Sequence, residues 1–109
     1  MTPRERDAVS FSAALVLQAL AAGHRYGFDI MRATRLPSGT VYPLLRRLEF
    51  NGLVRSRWER AKSAHAEGRP RRRYYESTAR GAAALADALP RLRAQWAVFD
   101  ADPGAPALG

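Results

Sequence analysis

With 109 residues, 47% of them apolar, the chain is one small globular domain, and wholesale disorder is excluded. Its core is modest enough to gain from oligomerisation. A net charge of +8 points to a polyanionic partner, nucleic acid first and an anionic membrane second, and the lack of cysteine rules out disulfides, thiolate zinc sites and thiol catalysis. The charge is concentrated: between Arg32 and Arg80 lie 13 of the 18 basic residues and 4 of the 10 acidic ones.

In chain order, residues 1–9 read as a flexible polar lead. This lead and the short amphipathic run after it resemble neither a signal peptide nor a membrane span, which predicts a cytoplasmic protein with no membrane partner. Ser10 or Ser12 can cap a first helix to about Ala22, with Ala13, Val16, Leu17 and Leu20 as its buried stripe and Gly23 as its stop. His24-Arg25 reads as a turn. Neither His24 nor His65 has a second ligand at metal spacing, so no metal or other cofactor is expected. A second, short helix runs from about Tyr26 to Ala33, where Gly27 allows close packing against a neighbouring helix.

After the tight connection Thr34-Arg35-Leu36-Pro37 comes the helix around which the chain is organised. Val41, Leu44, Leu45 and Leu48 fall at i, i+3, i+4 and i+7, one stripe that must be buried. Thr40, Tyr42, Arg46 and Arg47 lie off it and point outward, with groups that hydrogen-bond phosphates and base edges. Either Ser38 or Thr40 can cap the helix. Thr40 is preferred, because Pro43 would then fall where its missing N–H has no partner to lose; a bent first turn is the alternative. A helix start carrying hydroxyls and backbone N–H groups attracts phosphate.

Asn51-Gly52 stops that helix. Residues 53–59 read as a strand in which Val54, Ser56 and Trp58 alternate with Arg55, Arg57 and Glu59. Residues 71–77 form the returning strand, and residues 60–70 a long, positively charged polar loop at the hairpin tip. Four arginines at 69, 71, 72 and 73 would repel one another without a counter-charge. Thr78 caps a last helix from Ala79, in which Ala82, Leu85, Leu89, Leu92, Trp96 and Phe99 recur at coiled-coil spacings of 3 and 4. That predicts a dimerisation helix over 79–99, in preference to a helix packed on its own domain, bent or broken at Pro90. The tail, residues 100–109, reads as disordered. The fold expected for residues 10–78 is therefore mainly α with a two-stranded β wing, a winged helix-turn-helix, followed by the C-terminal dimerisation helix.

Three segments together resemble the PadR family of transcriptional regulators: Tyr26-Gly27-Phe28; Leu36-Pro37-Ser38-Gly39-Thr40-Val41-Tyr42-Pro43-Leu44-Leu45-Arg46-Arg47-Leu48-Glu49; and Gly68-Arg69-Pro70-Arg71-Arg72-Arg73-Tyr74-Tyr75. The resemblance implies a dimeric repressor that binds a palindromic operator, recognition helix in the major groove and wing on the minor groove or backbone. By position it assigns DNA contacts to Ser38, Gly39, Thr40, Tyr42 and Arg46 of the helix and to Arg69, Arg71 and Arg72 of the wing. It also implies a small aromatic effector near the dimer interface. Trp96 is the residue suited to that role, although packing on its mate in a seam is the favoured reading. The other reading of the same residues is a winged helix that binds RNA or an acidic protein through its basic wing. An enzyme is not expected, because no carboxylate pair, nucleophile–base set or metal cluster is present.

Overall fold

The computed structural model describes residues 9–100, without the side chains of Trp96, Val98, Phe99 and Asp100. The expected lead over 1–8 and tail over 101–109 lie outside the described residues, as do the Trp96 and Phe99 side chains. Val9, assigned to the lead, is buried, and its carbonyl accepts a hydrogen bond from the Arg91 guanidinium at 3.0 Å.

The first helix, α1 (Phe11–Ala21), is capped by Ser10, whose hydroxyl accepts from the Ala13 N–H at 3.1 Å. It buries Ala14 and Ala19 as well as the expected four residues. It closes in a Schellman turn: the His24 N–H returns to the Ala19 carbonyl and the Gly23 N–H to Leu20, with Gly23 at φ 101°. The next two residues are more than a turn. The Tyr75 N–H donates to the Arg25 carbonyl at 2.7 Å and Tyr26 bridges Tyr74, so a stub of strand ties this corner to the wing.

Helix α2 (Gly27–Thr34) follows Tyr26 as its N-cap. It leads through Arg35, at φ 61°, into α3 (Ser38–Phe50). The expected Thr40 cap is corrected here. Pro37 is the N-cap, extended at φ −72° and ψ 161°, and its carbonyl accepts from the Thr40 N–H at 2.9 Å and the Val41 N–H at 3.0 Å. Fixed φ at Pro37 starts the helix early, so Pro43 lies inside it and cannot bond the Gly39 carbonyl. Gly39 is exposed, which lets water take that carbonyl.

Strands β1 (Val54–Trp58) and β2 (Arg73–Ser77) pair antiparallel, with Val54 opposite Ser77 and Trp58 opposite Arg73. The expected tip loop contains a one-and-a-half-turn helix, α4 (Ala61–Ala66), whose Ala64 is buried. Gly68, at φ 66°, turns the chain back into the wing.

Helix α5 (Ala79–Asp100) starts at Thr78, whose hydroxyl accepts from the Gly81 N–H at 3.1 Å and donates to the Gly52 carbonyl at 2.7 Å. A Cβ on Gly81 would collide with the Leu53 carbonyl oxygen, so the helix start lies directly on the backbone leaving α3. The helix runs unbroken through Pro90. Its inner stripe of Leu85, Ala88 and Leu92 closes a core formed by Val16, Leu17, Ile30, Val41, Leu45 and Val54. The expected seam is thereby divided. Leu85 and Leu92 are buried in their own chain, Leu89 is half-buried at the edge, and the stripe has the width of a helix lying on its own domain.

Candidate nucleic-acid interface

The apolar stripe of α3 faces the core, which leaves its other side to solvent. Val41, Leu44, Leu45 and Leu48 are buried. Ser38, Gly39, Tyr42, Arg46 and Arg47 are exposed and Thr40 half-exposed. No side chain caps the helix start, and a Cβ on Gly39 would meet no atom within 4 Å, so the space above the first turn is open. Tyr42 is 41% exposed: its ring lies so close over Gly27 that a Cβ there would collide with it. The glycine thus sets how closely α2 approaches α3, and the phenol is held across the gap.

The wing stands at a fixed angle to this helix because Glu49 joins the two. Its carboxylate accepts from the Ser56 hydroxyl at 2.5 Å and lies 3.4 Å from the Arg73 guanidinium. Arg73 Nε in turn donates to Ser56 at 3.0 Å. Arginines and aromatic rings alternate along the hairpin. Arg57 lies over Tyr74, Arg71 and Arg73 over Trp58, and Arg72 over Tyr26 at 4.1 Å from the ring centre.

The counter-charge that four clustered arginines demand is supplied from within. Glu59 follows β1 and is the one buried charged residue among the described residues, 6% exposed. Arg69 grips its two carboxylate oxygens in a fork, at 2.6 and 2.8 Å. The Tyr74 hydroxyl donates to the same carboxylate at 3.0 Å and the Arg72 N–H at 3.2 Å. Arg71 Nε donates to the Glu59 carbonyl at 2.8 Å. The Arg69 guanidinium beside it, then the tyrosine and backbone donors, hold the Glu59 carboxyl down to about 2 against the cost of burial. Arg69 also pairs with Glu67, and its own affinity for the proton is raised, first by Glu59.

The three wing arginines therefore differ. Arg71 is exposed, Arg72 half-buried against Tyr26, and the Arg69 side chain 20% exposed with its guanidinium committed to carboxylates. Between the start of α2, α3 and the wing lies a cleft of about 640 Å³, lined by Phe28, Tyr42, Trp58 and the arginines at 32, 71, 72 and 73. Phe28 and Trp58, more than half exposed, were not among the sequence-derived contacts. Large aromatic residues left in solvent beside arginines were the signal that could have found them. Glu49 and Glu59 were missed for another reason: nothing local marks a carboxylate whose partners come from the other strand or the other helix.

Residues 16–87 match the sequence pattern of the transcriptional regulator PadR-like family. The chain belongs to that family. Among solved structures, this PadR-like chain is similar to a PadR family transcription regulator from Clostridium difficile, with 26% identity, a TM-score of 0.69, and coverage of 83% of this chain and 95% of that one. A transcriptional regulator from Clostridium thermocellum shares the fold at 20% identity, with a TM-score of 0.71 and coverage of 94% and 98%. So does BpsR of Bordetella bronchiseptica, whose DNA binding is regulated by 6-hydroxynicotinic acid, at 17% identity, a TM-score of 0.68, and coverage of 98% and 73%. No curated protein matches. The PadR-like chain is thus a transcriptional regulator with a winged-helix fold, for which the family implies DNA binding.

Away from the wing, the PadR-like domain has an apolar groove of about 440 Å³ between α1 and α5, lined by Phe11, Ala14, Leu15, Gln18, Leu89, Leu92, Arg93 and Ala97. Among the described residues no three His, Asp or Glu side chains are grouped to hold a metal ion, and no helix is long and apolar enough to cross a membrane.

Proposed function

We propose that this protein is a dimeric repressor that binds a palindromic operator with two α3 helices in successive major grooves. The observation that carries this reading is the open face of α3 beside a wing whose arginines are fixed around an internal carboxylate. Ser38 and Gly39 present backbone N–H groups, and Ser38 and Thr40 hydroxyls, to a phosphate, while Tyr42 and Arg46 reach base edges. Arg71 and Arg72 lie along the minor groove or the backbone beside it, and Arg73 and Trp58 line the cleft through which that strand passes. Regulation of the chromosome places the protein in the cytoplasm.

Dimerisation uses the α1–α5 groove and the outer side of α5, with Leu89 at its edge and Trp96 and Phe99 further along the helix. Leu85 supports the helix from inside, while Leu92, largely buried in its own chain, still lines the groove. The same groove is the place for a flat aromatic effector, because a ligand wedged between the copies would change the spacing of the two α3 helices. A gel shift with the DNA upstream of the protein's own gene tests the reading. A shifted band that disappears steeply with added salt supports it. No shift at low salt favours an RNA or acidic-protein partner instead.

A further inference from the structure

We infer that Glu59 and Arg69 form a positioning pair that holds Arg71 and Arg72 in their DNA-binding arrangement, and that Arg69 does not itself contact DNA. This inference rests on the DNA-binding reading above and divides the labour within the wing.

A carboxylate in a surface that binds a polyanion is a puzzle on charge alone, since its field opposes the ligand. Glu59 is placed where this opposition is cancelled and its geometry is used. Its two oxygens take the fork of Arg69, and between them also the Tyr74 hydroxyl and the Arg72 N–H. Its backbone carries the wing on past β1: the Glu59 N–H donates to the Arg72 carbonyl at 2.7 Å, and the Glu59 carbonyl accepts from Arg71 Nε at 2.8 Å. One residue therefore fixes the main chain at 72 and the side chains of 69 and 71. Arg69 also spans to Glu67, just past α4, so the pair pins the returning tip to the end of β1. Breaking a buried pair leaves the remaining charge unsatisfied, so Arg69 is not free to turn outward to a phosphate at low cost. The guanidiniums left to the ligand are those of Arg71, held by the Glu59 carbonyl and the Trp58 ring, and Arg72, held by the Tyr26 ring.

The test exploits a difference in sign. If Glu59 were merely a negative charge near the DNA, Glu59→Gln would tighten binding. A positioning role requires it to weaken binding, by about tenfold or more on the scale of one lost arginine contact. Arg69→Gln should weaken it to the same degree, and the double variant no further. Fluorescence anisotropy with labelled duplex from the region upstream of the gene, and with random-sequence duplex, reads these affinities. Their salt dependence should flatten by about one phosphate contact or more in each variant. The melting temperature should fall with the loss of the buried pair, but helical circular dichroism at the assay temperature should match wild type, which separates a displaced wing from an unfolded domain. Glu59→Gln binding as tightly as wild type or tighter, or losses that add in the double variant, overturns the inference.

Should Glu59→Gln fail to fold, Arg69→Gln decides alone. In its background Arg71→Ala should cost less than in the wild-type protein, and an undiminished cost makes Arg69 an independent contact. Arg46→Ala serves as the control on α3. If the wild type binds neither duplex at low salt, the DNA reading falls and this inference with it. If wild type binds, Arg46→Ala weakens that binding and Glu59→Gln does not, only the positioning pair falls.

Discussion

Gly39 sits in the first turn of α3 with open space where a Cβ would be. Nothing in the domain requires glycine there, and helix propensity favours alanine by up to about 1 kcal/mol. If the open space is filled by DNA backbone, Gly39→Ala should leave the unfolding temperature equal or higher and yet weaken operator binding about tenfold, the factor that 1.4 kcal/mol represents. Equal affinity in anisotropy titrations would remove Gly39 from the contact surface. Glu59 allows a pH argument. Its folded value of about 2 lies below the ordinary 4.5. The stabilisation it gives is therefore complete above about pH 4.5 and is lost as pH falls toward 2. In a Trp96→Phe background, Trp58 emission should report the wing loosening across that window, and Glu59→Gln should abolish that transition. A transition unchanged by Glu59→Gln would assign the acid step to other carboxylates.

Each element of the fold left a different trace in the sequence. The body of α3 was legible because four large apolar residues repeat at helical spacing. Its start was not: Pro43 argued for a later beginning, and the capacity of Pro37 to nucleate the turn outweighed the one lost hydrogen bond. Helix α4 was hidden among charged residues, although its three alanines carry the highest helix propensity. The Arg25–Tyr26 stub is too short to show any period. Alternation along β1 placed Glu59 outward, yet it is buried, because Arg69 across the hairpin satisfies its charge. On α5, attention to leucines left out Ala88, buried between Leu85 and Leu92. The burial of that stripe carries its own consequence. Leu85→Ala should destabilise the fold by about 2–5 kcal/mol in denaturant unfolding, and do so independently of protein concentration. A loss confined to low concentration would mean that Leu85 meets the partner instead. For the two DNA elements, Arg71→Ala should weaken binding to operator and random duplexes alike and lower the salt slope by about one. Arg46→Ala should fall mainly on the operator. Identical profiles for the two variants would contradict separate roles for helix and wing.

At the level of the whole molecule, charge and shape lead to the same partner. The positive segment of the sequence carries the exposed face of α3 and the wing, joined through Glu49, and shares the core with the nearly neutral remainder, which supplies the apolar groove on α1 and α5. A second copy seated on that groove would present two such surfaces related by two-fold symmetry, and a two-fold reader matches half-sites about one helical turn apart. Hydroxyl-radical footprinting on the DNA upstream of the gene tests this most directly. The expected result is two symmetric protected patches, centred about 10–10.5 base pairs or a multiple of that spacing apart, with the protection beside each patch lost in Arg71→Ala. A single unsymmetric patch, or none at low salt, would contradict the account.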